Sequence, residues 1–310
     1  MQNNQKINEW IATFLAEEPP RSKSLVMTIF GDAVVPHGGM VWLGSLIEML
    51  APFGVNDRLL RTSVFRLAQE GWLGSQRDGR RSNYAITPDA QRRLSRAFRR
   101  IYAPLAAHWS GNWTLVLGVN GLDAAERSTM RKELLWEGYS VIAPGIACHP
   151  AGDAEALESL LTRLGMLSKV YVCQTSELPG VRGKPLSDLI GEGWDLSDVI
   201  TGYTKFVDRF TPLLSMLHSA EEPITPEQAF VVRSLIIHAY RRVQLHDPQL
   251  PVELLPNPWP GAAAYSLASE LYRLTWQGAE QHILTTLRQE DPEAPAAAAS
   301  FYDRFNGLRA

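Results

Sequence analysis

The sequence predicts an α+β chain built in three parts, and three observations carry that prediction. Short helices ending in an arginine-tipped hairpin fill the first 90 residues, strands alternate with amphipathic helices from about residue 113, and the pattern is helical from about residue 195. The expected division is an N-terminal extension at 1–22, a first folded domain at 23–87, a connector helix at 88–110, a central α/β sandwich at 111–182 and a helical domain at 183–310. At 310 residues more than one domain is expected.

In the first domain, 25–30 reads as a short helix, 39–42 as a short strand and 43–50 as a second helix ending before Pro52. A third helix over 57–70 has Asn56 as N-cap and Gly71 as its stop. Leu60, Val64, Leu67 and Ala68 fall at helical spacing and should be buried, which leaves Arg58, Arg61, Thr62 and Arg66 pointing elsewhere. A hairpin follows, with one strand at 72–75, a turn at 76–81 containing Asp78-Gly79, and a return at 82–86. Helix, strand, helix, turn, helix, hairpin is the order of a winged helix-turn-helix, whose third helix would read DNA.

Charge supports that reading over an ordinary solvated face. Residues 57–100 hold 11 arginines, no lysine and four acids, although the whole chain is at net −3. A local excess of this kind attracts a polyanion and makes binding salt-sensitive.

The connector helix over 89–102 starts after Thr87-Pro88 and carries Arg92, Arg93, Arg96, Arg99 and Arg100, which suit phosphate contact or an inter-domain linker equally. In the middle, a strand at 113–119, a helix at 123–137, strands at 139–141 and 146–148, a helix at 154–164 and a strand at 170–173 give the ferredoxin-like order. That order does not name a function. Metal-dependent nuclease chemistry would want carboxylates converging at a strand end, and the first strand ends in Asn120. A dimerisation platform suits a protein with one reading helix per chain better.

The last third reads as helices from 195 or 197 to 217, from the capping box Thr225-Pro226-Glu227-Gln228 to 244, and from 262 to 287. Between the last two, 247–261 holds four prolines before Trp259 and one after it, which forbids helix and favours an extended crossing. Trp259 would plug the helical core or face a pocket. Cys148 and Cys173 sit among apolar strand residues and read as small buried side chains. Nothing has zinc-ligand spacing, so no metal or cofactor is expected. No apolar run approaches the roughly 20 residues that cross a bilayer, and Met1-Gln2-Asn3-Asn4-Gln5-Lys6 lacks a signal-peptide stretch, so no membrane partner and a cytoplasmic location are expected.

The chain resembles the PaaX family of repressors of phenylacetic acid degradation over essentially its whole length. The resemblance lies in Arg61-Thr62-Ser63-Val64-Phe65-Arg66-Leu67 with Glu70-Gly71-Trp72-Leu73, in Gly79-Arg80-Arg81-Ser82-Asn83-Tyr84, and in Asp247-Pro248-Gln249-Leu250-Pro251 and Leu254-Leu255-Pro256 with Trp259-Pro260-Gly261. It implies a homodimeric repressor that binds double-stranded promoter DNA of phenylacetate catabolism genes and is released by phenylacetyl-coenzyme A. It also implies Arg58, Arg61, Thr62, Ser63 and Arg66 on the reading helix, with Arg77, Arg80, Arg81 and Asn83 on the wing. An arginine near the start of the helix suits a bidentate guanine contact, and wing arginines suit phosphate or the minor groove.

An acyl-coenzyme A effector needs an apolar slot for the ring and cations or helix N-termini for the phosphates. His238, Tyr240, Arg241, Arg242 and Trp259 supply both kinds of group, with Lys205, Arg209, Trp194 and Tyr203 as further possibilities. Each also has a plain role as core or surface ion pair. A ligand-independent architectural protein or activator, and an enzyme, are the competing classes. No Gly-x-Ser-x-Gly elbow is present, so the sequence favours no enzymatic activity.

Overall fold

In the computed structural model, which describes residues 2–103, 109–118, 122–177, 183–220 and 222–309, helix α1 (Gln2–Glu17) occupies most of what the sequence suggested was an extension. Ile7 and Phe14, two turns apart, are buried. Helix α2 (Ser22–Ile29) runs on through a π turn (Phe30–Val34) and a 3-10 turn (Val35–His37), well past the expected end, because it is apolar on several sides and buried through Val34. Strand β1 (Met40–Trp42) and α3 (Leu43–Leu50) follow.

Helix α4 (Asp57–Gln69) begins where Asn56 Oδ1 accepts the Leu59 N–H at 2.9 Å, and Gly71 after it takes a positive φ of 74°. Its inner stripe, Leu60, Val64 and Leu67, is fully buried, whereas Ala68 is only half-buried. Strands β2 (Leu73–Asp78) and β3 (Arg81–Ile86) are longer than expected. Gly79, at φ 58°, lets the ladder close at Asp78 opposite Arg81, so Gln76 and Arg77 belong to the strand rather than the turn. The sheet order is β1-β3-β2. Helix α5 (Pro88–Tyr102) is capped by Thr87.

The middle of the chain holds β4 (Trp113–Leu117), α6 (Ala124–Trp136), β5 (Ser140–Ala143), β6 (Ile146–His149), α7 (Ala154–Arg163) and β7 (Tyr171–Thr175). The sheet order is β5-β6-β4-β7 with every neighbouring pair antiparallel. Cys148 on β6 is buried, but Cys173 is exposed, contrary to expectation, because β7 lies at the sheet edge. Val119 and Asn120, expected to end the first strand, lie outside the described residues. The last helices are α8 (Leu189–Gly193), α9 (Ser197–His218), α10 (Pro226–Gln244) and α11 (Pro260–Glu290), followed by a 3-10 segment (Ala299–Asn306). Among the described residues, no helix is long and apolar enough to cross a membrane.

The chain folds as two compact units, neither contiguous in sequence. The first comprises Met1–Pro104, Tyr203–Leu245 and Ala262–Ala310; the second comprises Leu105–Gly202 and His246–Gly261. The three segments of the first unit meet in a buried polar cluster around Asp32 in the π turn. Asp32 faces Arg233 of α10 at 2.9 Å and accepts from Arg304 at 2.9 Å, Tyr102 of α5 at 2.7 Å and Tyr272 of α11 at 2.8 Å. Arg233 also donates to Glu280 at 2.8 Å, and His37 Nε2 approaches the other Glu280 oxygen at 3.0 Å. Burial alone raises the Glu280 carboxyl, but the bonds from His37 and Arg233 outweigh it and hold the pKa at about 2.

In the second unit, one side of the sheet packs on α6 and α7 through Val116, Leu134, Leu157 and Leu160. A separate cluster joins Trp113, Cys148, Leu196 and Leu250 with the partly buried Trp109, Trp194 and Trp259. The proline-rich crossing belongs here. His149 Nδ1 accepts the Ala151 N–H at 2.9 Å, which leaves Nε2 to donate to the Pro248 carbonyl at 2.8 Å. Gly138, at φ 90°, lies so close to that carbonyl that a Cβ would come within 2.5 Å of its oxygen.

Candidate nucleic-acid interface

Helix α4 presents two faces. Inward lie Leu60, Val64 and Leu67; outward lies a stripe of Arg58, Thr62, Phe65 and Gln69, flanked by Arg61 and Arg66, all exposed. Arg61 is steadied by Asp57 one turn earlier at 2.7 Å, a pair worth only a few tenths of a kcal/mol on an exposed helix, about 0.3–0.5. That pair orients the guanidinium without confining it. Thr62 donates its hydroxyl proton to the Arg58 carbonyl at 2.9 Å. Arg77 and Arg80 stand exposed at the tip of the β2–β3 hairpin. Helix and hairpin tip therefore carry five exposed arginines in one run of 23 residues.

Three residues in the expected set are placed differently. Ser63 is 5% exposed on the inner side of α4, donating to the Leu59 carbonyl at 2.9 Å and bonded to Ser22 of α2 at 2.9 Å. It fixes α4 on α2 and does not reach the outer face, since its position falls between Leu60 and Leu67 on the helix. Arg81, at the base of the tip, donates to the Glu290 carbonyl at 2.7 Å and to its carboxylate at 3.2 Å, and stacks on the Trp42 ring at 4.2 Å. Asn83 is half-buried in the middle strand, opposite Trp42 on one side and Gln76 on the other.

Sequence reasoning missed Phe65 as part of the outer stripe and Glu290 as the partner of Arg81. The first was legible, at four residues from Arg61 and seven from Arg58; the second, 209 residues away, was not. Helix α5 is a further structural element, tied by the Tyr102 hydroxyl to Asp32 and by its Arg100 carbonyl, which accepts from Gln244 at 2.7 Å. Arg93 lies over the Trp72 ring at 5.5 Å.

The residues expected around an effector divide between the two units. On α10, His238 is buried against Thr28 of α2 at 2.9 Å. Because the Thr28 hydroxyl donates to the Ser24 carbonyl, it accepts from His238 Nδ1. Burial first, then Arg241 and Arg242, push the His238 pKa down to about 3. Arg241 donates to the Ser24 carbonyl and hydroxyl, both at 3.0 Å, and burial lowers its pKa to about 10. Tyr240 is fully buried against Tyr203 and Phe206 of α9, while Arg242 is exposed. Arg209 pairs with Glu17 and Glu18, Lys205 is exposed, and Trp194 donates to the Gly138 carbonyl at 2.8 Å. Trp259 packs in the tryptophan cluster of the second unit.

Comparison with known proteins places the chain among homologues of transcriptional repressors. Family models match at residues 21–90 (PaaX-like protein), 106–185 (PaaX protein central Cas2-like domain) and 194–285 (PaaX-like protein C-terminal domain). The transcriptional repressor PaaX of Escherichia coli (strain K12) is 34% identical over 304 residues, covering 98% of this chain and 96% of that protein. The chain belongs to the PaaX family. Among solved structures, the uncharacterized protein Rv0674 from Mycobacterium tuberculosis aligns with a TM-score of 0.49 and 24% identity, covering 83% of this chain and 96% of that one.

Proposed function

We propose that this chain is a cytoplasmic transcriptional repressor that grips duplex DNA as a homodimer through a winged helix-turn-helix, with α4 in the major groove and the β2–β3 wing beside it. The observation that carries the reading is the exposed arginine surface of α4 and the hairpin tip, set on a chain of net −3. Arg58 and Arg61, in the first turns of α4, are the residues for guanine edges, and Arg77 and Arg80 those for phosphate. Arg81 acts by fixing the wing. The ferredoxin-like middle supplies the twofold contact, which doubles the number of reading helices and fixes their spacing.

The effector we assign is phenylacetyl-coenzyme A, by kinship with a repressor named PaaX. Release requires that the thioester bind the DNA-incompetent arrangement better than the competent one. Because α5 is fastened within the first unit by Tyr102 and Arg100, a change in half-site spacing involves that whole unit rather than a pivot of α5 alone.

The test is a footprint and titration on a promoter of phenylacetate catabolism genes, with and without phenylacetyl-coenzyme A. Wild type is expected to protect a short palindrome in a salt-sensitive manner and to lose it on adding the thioester. Arg61→Ala is expected to weaken binding by about 1–3 kcal/mol. Unchanged affinity in Arg61→Ala would remove α4 as the reading helix, and equal affinity with and without thioester would remove the effector.

A further inference from the structure

We infer that Phe65 reads a thymine through its 5-methyl group, an assignment that rests on the DNA-binding function proposed above and names one base contact within it. Phe65 is 61% exposed at the centre of the outward stripe of α4, between Thr62 and Gln69 and two turns from Arg58. The helix already has a complete apolar face in Leu60, Val64 and Leu67, each fully buried. The phenyl ring therefore adds nothing to that packing and stands with its apolar area in water.

Charge decides what covers it. Arg58, Arg61 and Arg66 surround the ring on α4. An apolar protein surface docking here would bury Arg58 and Arg66 without counter-charges, only Arg61 having its own in Asp57, at a cost of several kcal/mol per ion. Duplex DNA pairs each of them with phosphate or a guanine edge, and its major groove offers one apolar substituent, the thymine methyl, which phenylalanine side chains contact. A basic face with Phe65 at its centre, and Leu59 exposed to one side, matches a groove with anionic walls and methyl groups on its floor.

The experiment uses the full chain to enrich duplexes from a pool with a random core. The enriched duplex is then resynthesised with each thymine in turn replaced by uracil, which keeps the pairing and removes the methyl. Wild type is expected to lose about fourfold in affinity at one thymine per half-site, the equivalent of one buried methyl group. Phe65→Ala should bind the thymine duplex more weakly and show no further loss at that position, whereas Phe65→Leu should retain part of it. Arg61→Ala should be weaker on every duplex yet keep the uracil penalty. Since Phe65 is exposed, all variants should melt with wild type. If Phe65→Ala pays the same uracil penalty, or wild type pays none at any position, the methyl contact is overturned while DNA binding stands. If no duplex is enriched at all, the DNA-binding function falls and this contact with it.

Discussion

His238 and Asp32 show how much of this protein depends on single polar side chains in apolar surroundings. Asp32 is 2% exposed and would be costly to bury alone, but two arginines and two tyrosine hydroxyls converge on it. His238 solves the same problem by staying uncharged. Its pKa of about 3 in the folded chain lies well below the ordinary 6.5, so the unfolded chain takes up the proton first. The stabilisation is complete above pH 6.5 and drains away as the pH falls toward 3, amounting to a loss of about 2 kcal/mol between pH 7 and 5. Melting temperature is expected to drop over that interval in wild type. In His238→Asn, which keeps a donor near the δ position without titrating, the drop should be smaller. Equal drops would mean that His238 does not govern acid unfolding. Glu280 acts in a lower window, its contribution being present above 4.5 and lost as the pH falls toward 2.

At the scale of elements, the β2–β3 hairpin is held from behind. Arg81 lies between the Trp42 ring and the end of α11, and the Glu290 carboxylate that receives it occupies the space where a Cβ on Gly44 would stand, 1.8 Å from Oε1. Gly44→Ala should therefore evict that flexible carboxylate, leaving Arg81 with only the Glu290 carbonyl and the Trp42 ring, without touching the hairpin. Amide hydrogen exchange in residues 81–86 should quicken while the α4 amides keep their protection; unchanged exchange in both would show that the hairpin needs no support from the Glu290 carboxylate. Much at this scale was legible in advance. Helix α3 has the bounds its apolar spacing gave, Asn56 caps α4, and Thr225 and Gln228 form the reciprocal capping bonds. The reason is that these features are local, each set by residues three or four apart. The failures were tertiary. Ser63 and Arg81 have the residue types of an interface, yet Ser63 is buried against Ser22 and the exposed Arg81 is bonded to Glu290, partners that no local pattern announces. Helix α1 was overlooked although Ile7, Trp10 and Phe14 spell out an apolar face, because the polar residues between them masked it.

For the whole molecule, the segments that look like separate head and tail in the sequence make one compact unit, and the proline-rich crossing returns to the middle unit rather than to the helices that flank it. Residues 1–103 made alone are expected to show no cooperative urea transition, since Asp32 would lose Arg233, Tyr272 and Arg304 together. A sharp transition at the midpoint of the intact chain would refute this dependence. The same arrangement bears on synthesis. Asp32 leaves the ribosome 272 residues before Arg304, and at about 5–20 residues per second the wait is on the order of tens of seconds. For most of that interval the nascent half carrying the arginine face has Tyr102 but no arginine to meet its acid, and α2 lacks α10. A chain released before Arg304 is made thus lacks one of the groups that close around Asp32 and leaves the centre of the first unit short of a positive charge.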